Sequence, residues 1–294
     1  MKESFQSVVI TGAAGMLGRA LVAALRVRGV QAHAFARAAL DITDHPAVAR
    51  VFSEHRPTLF LNCAAHTKVD LCETEPDRAN AINGHAVGNI AGLCKQYGTA
   101  LVHYSTDFIF DGKSTRPYRV DDMPNPISAY GRSKLLGESK LQARAPSQWL
   151  IIRTAWVYGE GGINFPRIII ERARGGHALQ VVNDEIGSPT FTTDLAGATL
   201  ELIDRGATGI IHATNVGAVN RFEYARAVLE EFDIAADLSP ITTARWIEMR
   251  PNQARRPSYS VLDDASLITA ISHPLRTWRV ALRDYKSLVQ RNGF

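Results

Sequence analysis

An α/β fold, with a doubly wound parallel sheet joined to a second, smaller region, follows from three features of the sequence. Short apolar runs recur with helix-like segments between them, a glycine string joins the first run to the first helix, and this rhythm loosens after about Gly159. Runs that are apolar throughout are what a parallel sheet requires when helices cover both of its faces.

In chain order the runs are 8-VVIT-11, 32-AHAF-35, 58-TLFLNCAA-65, 100-ALVHYS-105, 150-LIIRT-154 and 210-IIHAT-214, each read as a strand. The first crossover puts Leu17, Leu21, Ala24 and Leu25 on one helical face, with Gly29 as its stop. A second runs from Ala81 to Tyr97, with Val87, Ile90 and Cys94 on one face and Gly98 at its end. Right-handed crossovers open successive loops at the carboxyl edge of the sheet, so ligand chemistry is expected in a shared crevice there. Later segments, 159-GEGGINFPR-167, 187-GSPTFTTD-194 and 250-RPNQARRPSYS-260, are rich in proline, glycine and arginine. They predict a partly discontinuous region that caps the crevice, while 210-IIHAT-214 returns to the main sheet.

A length of 294 residues at 46% hydrophobic supports one or two domains. The first ten residues hold no apolar signal core, and no run of about 18 apolar residues accumulates. A cytoplasmic protein without a membrane partner is therefore expected. Cys63, Cys72 and Cys94 show neither a disulfide framework nor zinc spacing and read as reduced packing residues, so no metal site is assigned. The net charge is +4, but the arginines are scattered and no basic run interleaves with aromatics. A phosphate-bearing small molecule fits this better than nucleic acid.

The string 11-TGAAGMLG-18 follows a strand and opens a helix. In that context Gly12, Gly15 and Gly18 let the backbone turn tightly against a pyrophosphate, which helix N-terminal amides then stabilise. The fold is thus Rossmann-type, with residues 1–160 as a dinucleotide-binding domain that takes back a strand near 208–230. Residues 161–294 form mainly the second, substrate-binding domain. An acid at the end of the second strand would hold the ribose of NAD. None stands near residue 36; Arg37 is there instead, to be read as a partner of the 2′-phosphate of NADP or as a solvated strand-end arginine. NADPH is favoured over NADH. In 41-DITD-44, Asp41 reads as an acceptor for the adenine amino group with Ile42 on the ring, or as an N-cap for the helix around Pro46.

In 128-SAYGRSK-134, Tyr130 and Lys134 are four residues apart and share a face if the segment is helical. A neighbouring ammonium lowers a phenol from its usual pKa of about 10 by stabilising phenolate, which makes proton exchange with a carbonyl or alcohol oxygen practical. The pair alone is a common coincidence. It gains weight from 105-STDFIF-110 at the end of a strand, where Thr106, chosen over Ser105, would orient the same oxygen.

With TGAAGMLG, STDFIFDG and YGRSK in this order, the chain resembles the extended short-chain dehydrogenases/reductases that act on nucleotide sugars. The segments 62-NCAAHTKVDLCETEP-76, 152-IRTAWVYGEGGINF-165, 181-VVNDEIGSPTFTTDLA-196 and 255-RRPSYSVLD-263 look like those of the dTDP-4-dehydrorhamnose reductases, and the similarity covers residues 7 to 290. The resemblance implies reduction of the 4-keto group of dTDP-4-dehydro-6-deoxy-L-mannose to dTDP-L-rhamnose by NADPH or NADH. Tyr130 would donate the proton, Lys134 would hold the nicotinamide ribose and lower the Tyr130 pKa, and Thr106 would bond the sugar oxygen. The resemblance also assigns Gly15, Met16, Leu17, Asp41, Ile42, Ala65, His66 and Thr67 to the cofactor, and Thr106, Asp107 and Trp156 to the sugar nucleotide. His66 would shape the backbone rather than act as a base, and Trp156 would form a pocket wall rather than core packing.

Arg255 and Arg256 read equally as ligands of the substrate diphosphate and as partners of surface carboxylates. Phe108 stands where relatives often carry tyrosine, removing one hydroxyl contact to the sugar. Some relatives form homodimers through Mg²⁺ held by surface glutamates, for which no compact carboxylate cluster assigns ligands in this chain. Two further functions fit the same features: a sister reductase of another deoxysugar nucleotide, and a non-catalytic cofactor-binding subunit.

Overall fold

The computed structural model describes residues 6–250 and 253–292. The outer ends of both expected domains, and Pro251 and Asn252 in the arginine-rich stretch, lie outside the described residues. Strand β1 (Val8–Thr11) leads through helix α1 (Met16–Val27) to β2 (Ala32–Phe35), then through α2 (His45–His55) to β3 (Leu59–Asn62). Two short helices, α3 (Val69–Thr74) and α4 (Pro76–Asn80), and a wide helical turn over Ala81–His85 precede α5 (Ala86–Tyr97) and β4 (Ala100–Thr106). Next come α6 (Ala129–Arg144) and β5 (Trp149–Thr154), then β6 (Val157–Tyr158), α7 (Phe165–Arg174), β7 (Leu179–Val182), β8 (Ile186–Gly187) and β9 (Thr190–Phe191). After α8 (Thr192–Asp204) and β10 (Gly209–His212) follow β11 (Val219–Asn220), α9 (Arg221–Glu231), β12 (Leu238–Ile241), α10 (Thr243–Met249), α11 (Ala265–Ile271) and α12 (Trp278–Asn292).

Each of the six apolar runs is a strand, and together they form one sheet in the order β10-β5-β4-β3-β1-β2, with every pair parallel. The alternation of a strand's side chains divides β1 between two cores. Val8 and Ile10 pack with Leu21, Leu25 and Leu195 under α1 and α8, whereas Val9 packs with Phe52, Val87, Ile90 and Leu141 under α2, α5 and α6. The winding direction reverses between β1 and β3, so the loops after these two strands diverge and leave a crevice above the carboxyl edge.

The second expected crossover begins as the wide turn and becomes regular at Ala86, ending on Gly98 in the left-handed region at φ 68°. The wide turn lies where α6 comes closest: a Cβ on Gly137 would sit 2.1 Å from the Asn83 carbonyl oxygen. A third core lies apart from the main sheet. It is aromatic, with Tyr158, Tyr224, Tyr285, Phe191 and Trp278 buried together among β6, β9, α9 and α12. Three two-stranded pairings, β11 with β8, β12 with β7 and β6 with β9, surround it, while α8 and β10 rejoin the main sheet. No described helix is long and apolar enough to cross a membrane.

Candidate active site

A crevice of about 750 Å³ opens above the carboxyl ends of β1, β3, β4 and β5. The glycine loop forms its floor. Gly12 has φ +67°, and a Cβ there would stand 2.7 Å from the Ala64 nitrogen; one on Gly18 would stand 2.4 Å from the Gly12 carbonyl oxygen. Gly15 caps α1 without a side chain, so no side chain occupies the first-turn amides. A loop this close, ending in free helical amides, fits the pyrophosphate of a dinucleotide. Met16 and Leu17 line the same crevice, as do Ala65, His66 and Thr67 after β3 and Arg37, Asp41 and Ile42 after β2.

Asp41 does not cap α2. Its Oδ1 accepts from the Thr43 amide at 2.9 Å and the Thr43 hydroxyl at 2.7 Å, and the cap is Asp44, which accepts from the Ala47 amide at 2.9 Å. The Thr43 hydrogen bonds hold the Asp41 carboxyl below its usual range, and its Oδ2 lies 3.9 Å from Arg37. His66 is held by its backbone: its amide donates to Asn83 Oδ1 at 2.8 Å and its carbonyl accepts from Asn83 Nδ2 at 3.0 Å. Burial pushes its ring down from the usual histidine range.

The reacting group comes from α6, which two glycines allow to approach. A Cβ on Gly131 would lie 2.1 Å from the Phe108 carbonyl oxygen, and the Asn83 carbonyl excludes one on Gly137 in the same way. Ser128 caps the helix by accepting from the Gly131 amide at 3.1 Å. Tyr130, Lys134 and Glu138 follow at four-residue spacing. The Tyr130 hydroxyl stands beside Thr106, whose hydroxyl donates to Asp107 Oδ1 at 3.0 Å. Ser105 also lines the crevice, but its Oγ has no partner among the described residues.

The electrostatics differ from expectation at one point. Burial pushes the Tyr130 phenol up, opposed by the Thr106 hydrogen bond, and Lys134 does not offset it. The physical reason is where Lys134 points: its Nζ donates to the Tyr104 carbonyl at 2.5 Å and lies 3.4 Å from His103 Nε2. Burial pushes Lys134 down to about 8, with Glu138 and Cys63 favouring the cation. Tyr130 is therefore a phenol that keeps its proton at neutral pH, which is the state a proton donor needs. Asp107, buried beside it, is pushed up to about 6 by desolvation.

The far end of the crevice is built from side chains. Trp156 sits in the left-handed region at φ 45°. One edge of its indole abuts Gly187, where a Cβ would stand 2.4 Å from Cε2, and the Arg221 guanidinium lies 3.5 Å from the ring centroid. Arg221, which sequence reasoning missed, is pushed down to about 10 by burial, with Glu185 at 3.9 Å favouring its charge. Nothing local marks it out, since it simply follows the Asn220 cap of α9. The two candidate arginines separate. Arg256 lines the crevice while bonding Asp70 at 3.0 and 3.2 Å, but Arg255 is exposed and outside the lining. Asn83 was missed as well; its side chain ties the His66 loop to Ser133 of α6 at 2.9 Å. The cysteines are free, with Cys72 and Cys94 buried, and no group of three or more His, Cys, Asp or Glu placed to hold a metal ion occurs among the described residues.

Comparison with known proteins agrees with this geometry. The family described as RmlD substrate binding domain matches residues 6–290. A dTDP-4-dehydrorhamnose reductase of Mycolicibacterium smegmatis is 42% identical over 95% of this chain and 84% of its own length. A dTDP-4-keto-6-deoxy-D-glucose reductase of Streptomyces niveus is 38% identical, over 93% of this chain and 94% of its own. A crystal structure of a dTDP-4-dehydrorhamnose reductase from Bacillus anthracis in complex with NADP superposes with TM-score 0.91 at 33% identity, covering 96% of this chain and 99% of that one.

Proposed function

The chain belongs to the RmlD substrate binding domain family, whose members include dTDP-4-dehydrorhamnose reductases, and from that premise we propose that it reduces the 4-keto group of dTDP-4-dehydro-6-deoxy-L-mannose with NADPH. One observation carries the reading: a single crevice joins a pyrophosphate-sized glycine loop to the Thr106, Tyr130 and Lys134 set and to the Trp156 wall. When bound, NADPH supplies the hydride. Gly12, Gly15, Met16 and Leu17 would cradle it at the start of α1, with Ala65, His66 and Thr67 on its other side. Arg37 is the cation within reach of a 2′-phosphate, and the Bacillus anthracis relative with NADP supports that choice of cofactor.

The chain's own residues perform the proton step. Thr106 orients the sugar oxygen, and Tyr130 gives that oxygen its phenolic proton as negative charge develops there. Lys134, mostly cationic at neutral pH, lies one turn behind Tyr130, where it would hold the nicotinamide ribose. Trp156, stiffened between Gly187 and Arg221, bounds the sugar, and Asp107 offers a carboxyl oxygen with no partner among the described residues.

The relative from Streptomyces niveus supports a second reading, in which the same machinery reduces a different 4-keto deoxysugar nucleotide. NADPH oxidation measured with dTDP-4-dehydro-6-deoxy-L-mannose separates the readings. Turnover is expected, with Tyr130→Phe losing a factor of about 10² to 10⁴ in kcat while still binding NADPH. Turnover confined to another keto sugar would favour the sister reductase, and NADPH binding without turnover of any keto sugar would leave a cofactor-binding subunit.

A further inference from the structure

Three polar side chains stand side by side across the sheet. Thr11, Asn62 and His103 are register partners on β1, β3 and β4, and one residue row below them on the same face are Val9, Phe60 and Leu101. All three are buried, at 0%, 1% and 0% exposure, and buried polar groups are as a rule hydrogen-bonded. They are bonded: Thr11 Oγ1 lies 2.7 Å from Asn62 Oδ1, Asn62 Nδ2 lies 3.2 Å from His103 Nδ1, and His103 Nε2 lies 3.4 Å from Lys134 Nζ. The row therefore ends on the lysine one turn from the proton donor.

Its donors can run in either direction. When Thr11 donates to Asn62 and Asn62 donates to His103 Nδ1, the imidazole proton sits on Nε2 and faces a neutral Lys134 amine. Turning the Asn62 amide over puts the proton on Nδ1, where it bonds the amide oxygen, and leaves Nε2 to accept from the Lys134 ammonium. Burial first, and Lys134 second, hold His103 well below the usual histidine range, so its ring stays neutral in both arrangements. The two arrangements differ by one proton, exchanged with solvent at Lys134 through the crevice.

We propose that the Thr11–Asn62–His103 row is a reversible hydrogen-bond relay that holds Lys134 as either ammonium or amine, which makes His103 a positioning residue acting through Lys134. Its catalytic consequence rests on the reductase reading; the relay itself does not. Besides His103, the ionisable groups facing Lys134 are Glu138 on its own helix and Cys63 just beyond β3. Glu138 is already committed to Arg153, with contacts of 3.0 and 2.8 Å, and burial pushes the Cys63 thiol up, so it stays neutral. His103 is thus the neighbour able to answer a change in the charge of Lys134.

The test reads Lys134 directly, in the protein without cofactor or sugar, by NMR titration of ¹³Cε-labelled lysine, with the resonance assigned by its loss in Lys134→Met. His103→Leu removes an acceptor from the cation and should lower the Lys134 midpoint by about one pH unit. His103→Gln keeps an acceptor and should leave it near wild type. Asn62→Asp fixes the proton on Nδ1, so the midpoint should rise. A midpoint that stays at the wild-type value in either His103→Leu or Asn62→Asp overturns the relay, as do shifts of the same sign in both. Should His103→Leu not fold, a rise in Asn62→Asp beside an unmoved His103→Gln upholds it, and any other pattern overturns it. Shifted midpoints in a protein that reduces no keto sugar would keep the relay and remove the reductase reading.

Discussion

The two ends of the crevice are built by different means. The cofactor end is main chain: Gly12 brings the loop after β1 against the loop after β3, Gly15 and Gly18 close on Gly12 itself, and Asn83 fixes the β3 loop through the His66 backbone. The sugar end is side chain: Trp156, Arg221, Arg256 and Asp107 converge from the end of β5, the start of α9, the segment before α11 and the end of β4. A backbone-built end tolerates many side chains but few Cβ atoms at its close approaches. A side-chain-built end depends on packing between segments far apart in sequence, so a change can disturb one end and leave the other intact.

The sharpest way to break that contrast is Gly12→Ala. The new Cβ would meet the Ala64 nitrogen and the Cys63 carbonyl carbon at 2.7 Å, on a residue at φ +67° that L side chains rarely adopt. Strain of that kind costs about 1–3 kcal/mol, or roughly 5- to 150-fold in an equilibrium. NADPH affinity, followed by cofactor fluorescence, should fall within that range while the KM for the sugar nucleotide changes little. Equal losses in both would show that the ends are not independent.

The same contrast explains what could be read before the structure. All six strands of the main sheet and the faces of α1 and α5 were legible because periodicity and apolar runs are local properties of the chain. The glycine loop was legible for a related reason: a close backbone approach demands glycine and so leaves a spaced pattern. Arg221 left none, because it matters only where α9 brings it over Trp156, and an arginine after an N-cap is indistinguishable from a solvated one. Arg255 and Arg256 looked equivalent because their different exposure depends on how the segment from Gln253 onward is anchored, which the contacts of Asp70 with the Ala254 amide and Arg256 decide. The direction of Lys134 was illegible too, since the Tyr104 carbonyl that accepts its hydrogen bond belongs to β4, far from α6 in sequence.

At the sugar end the matching substitution is Gly187→Ala, whose Cβ would meet the Trp156 indole at 2.4 Å. The ring cannot retreat freely, because its own backbone is left-handed and Arg221 stacks against it. A misfit of one methyl group in a binding pocket is worth about tenfold. The KM for the sugar nucleotide should rise by that order and NADPH affinity should hold; a weakened cofactor with an unchanged sugar KM would reverse the assignment of the two ends.

Acid separates the ends by a smaller effect. Asp41, at the cofactor end, is held below its usual range by Thr43, whereas Asp107, at the sugar end, is pushed up to about 6 by burial. Between pH 7 and 5, therefore, Asp107 takes up a proton and Asp41 does not. An ionised Asp107 only accepts hydrogen bonds, and a protonated one gives up part of that capacity, so the sugar KM should rise a few-fold as pH falls through about 6. Asp107→Asn should abolish the KM change. Stability carries the opposite sign. A carboxyl whose folded pKa lies above its unfolded value of about 3.9 contributes stability that is fully present below 3.9 and lost as pH rises through 6. Wild type should thus lose ground to Asp107→Asn in thermal melts as pH rises from 4 to 7, and a gap between the two melting curves that stays constant over that range would show that Asp107 does not titrate near 6.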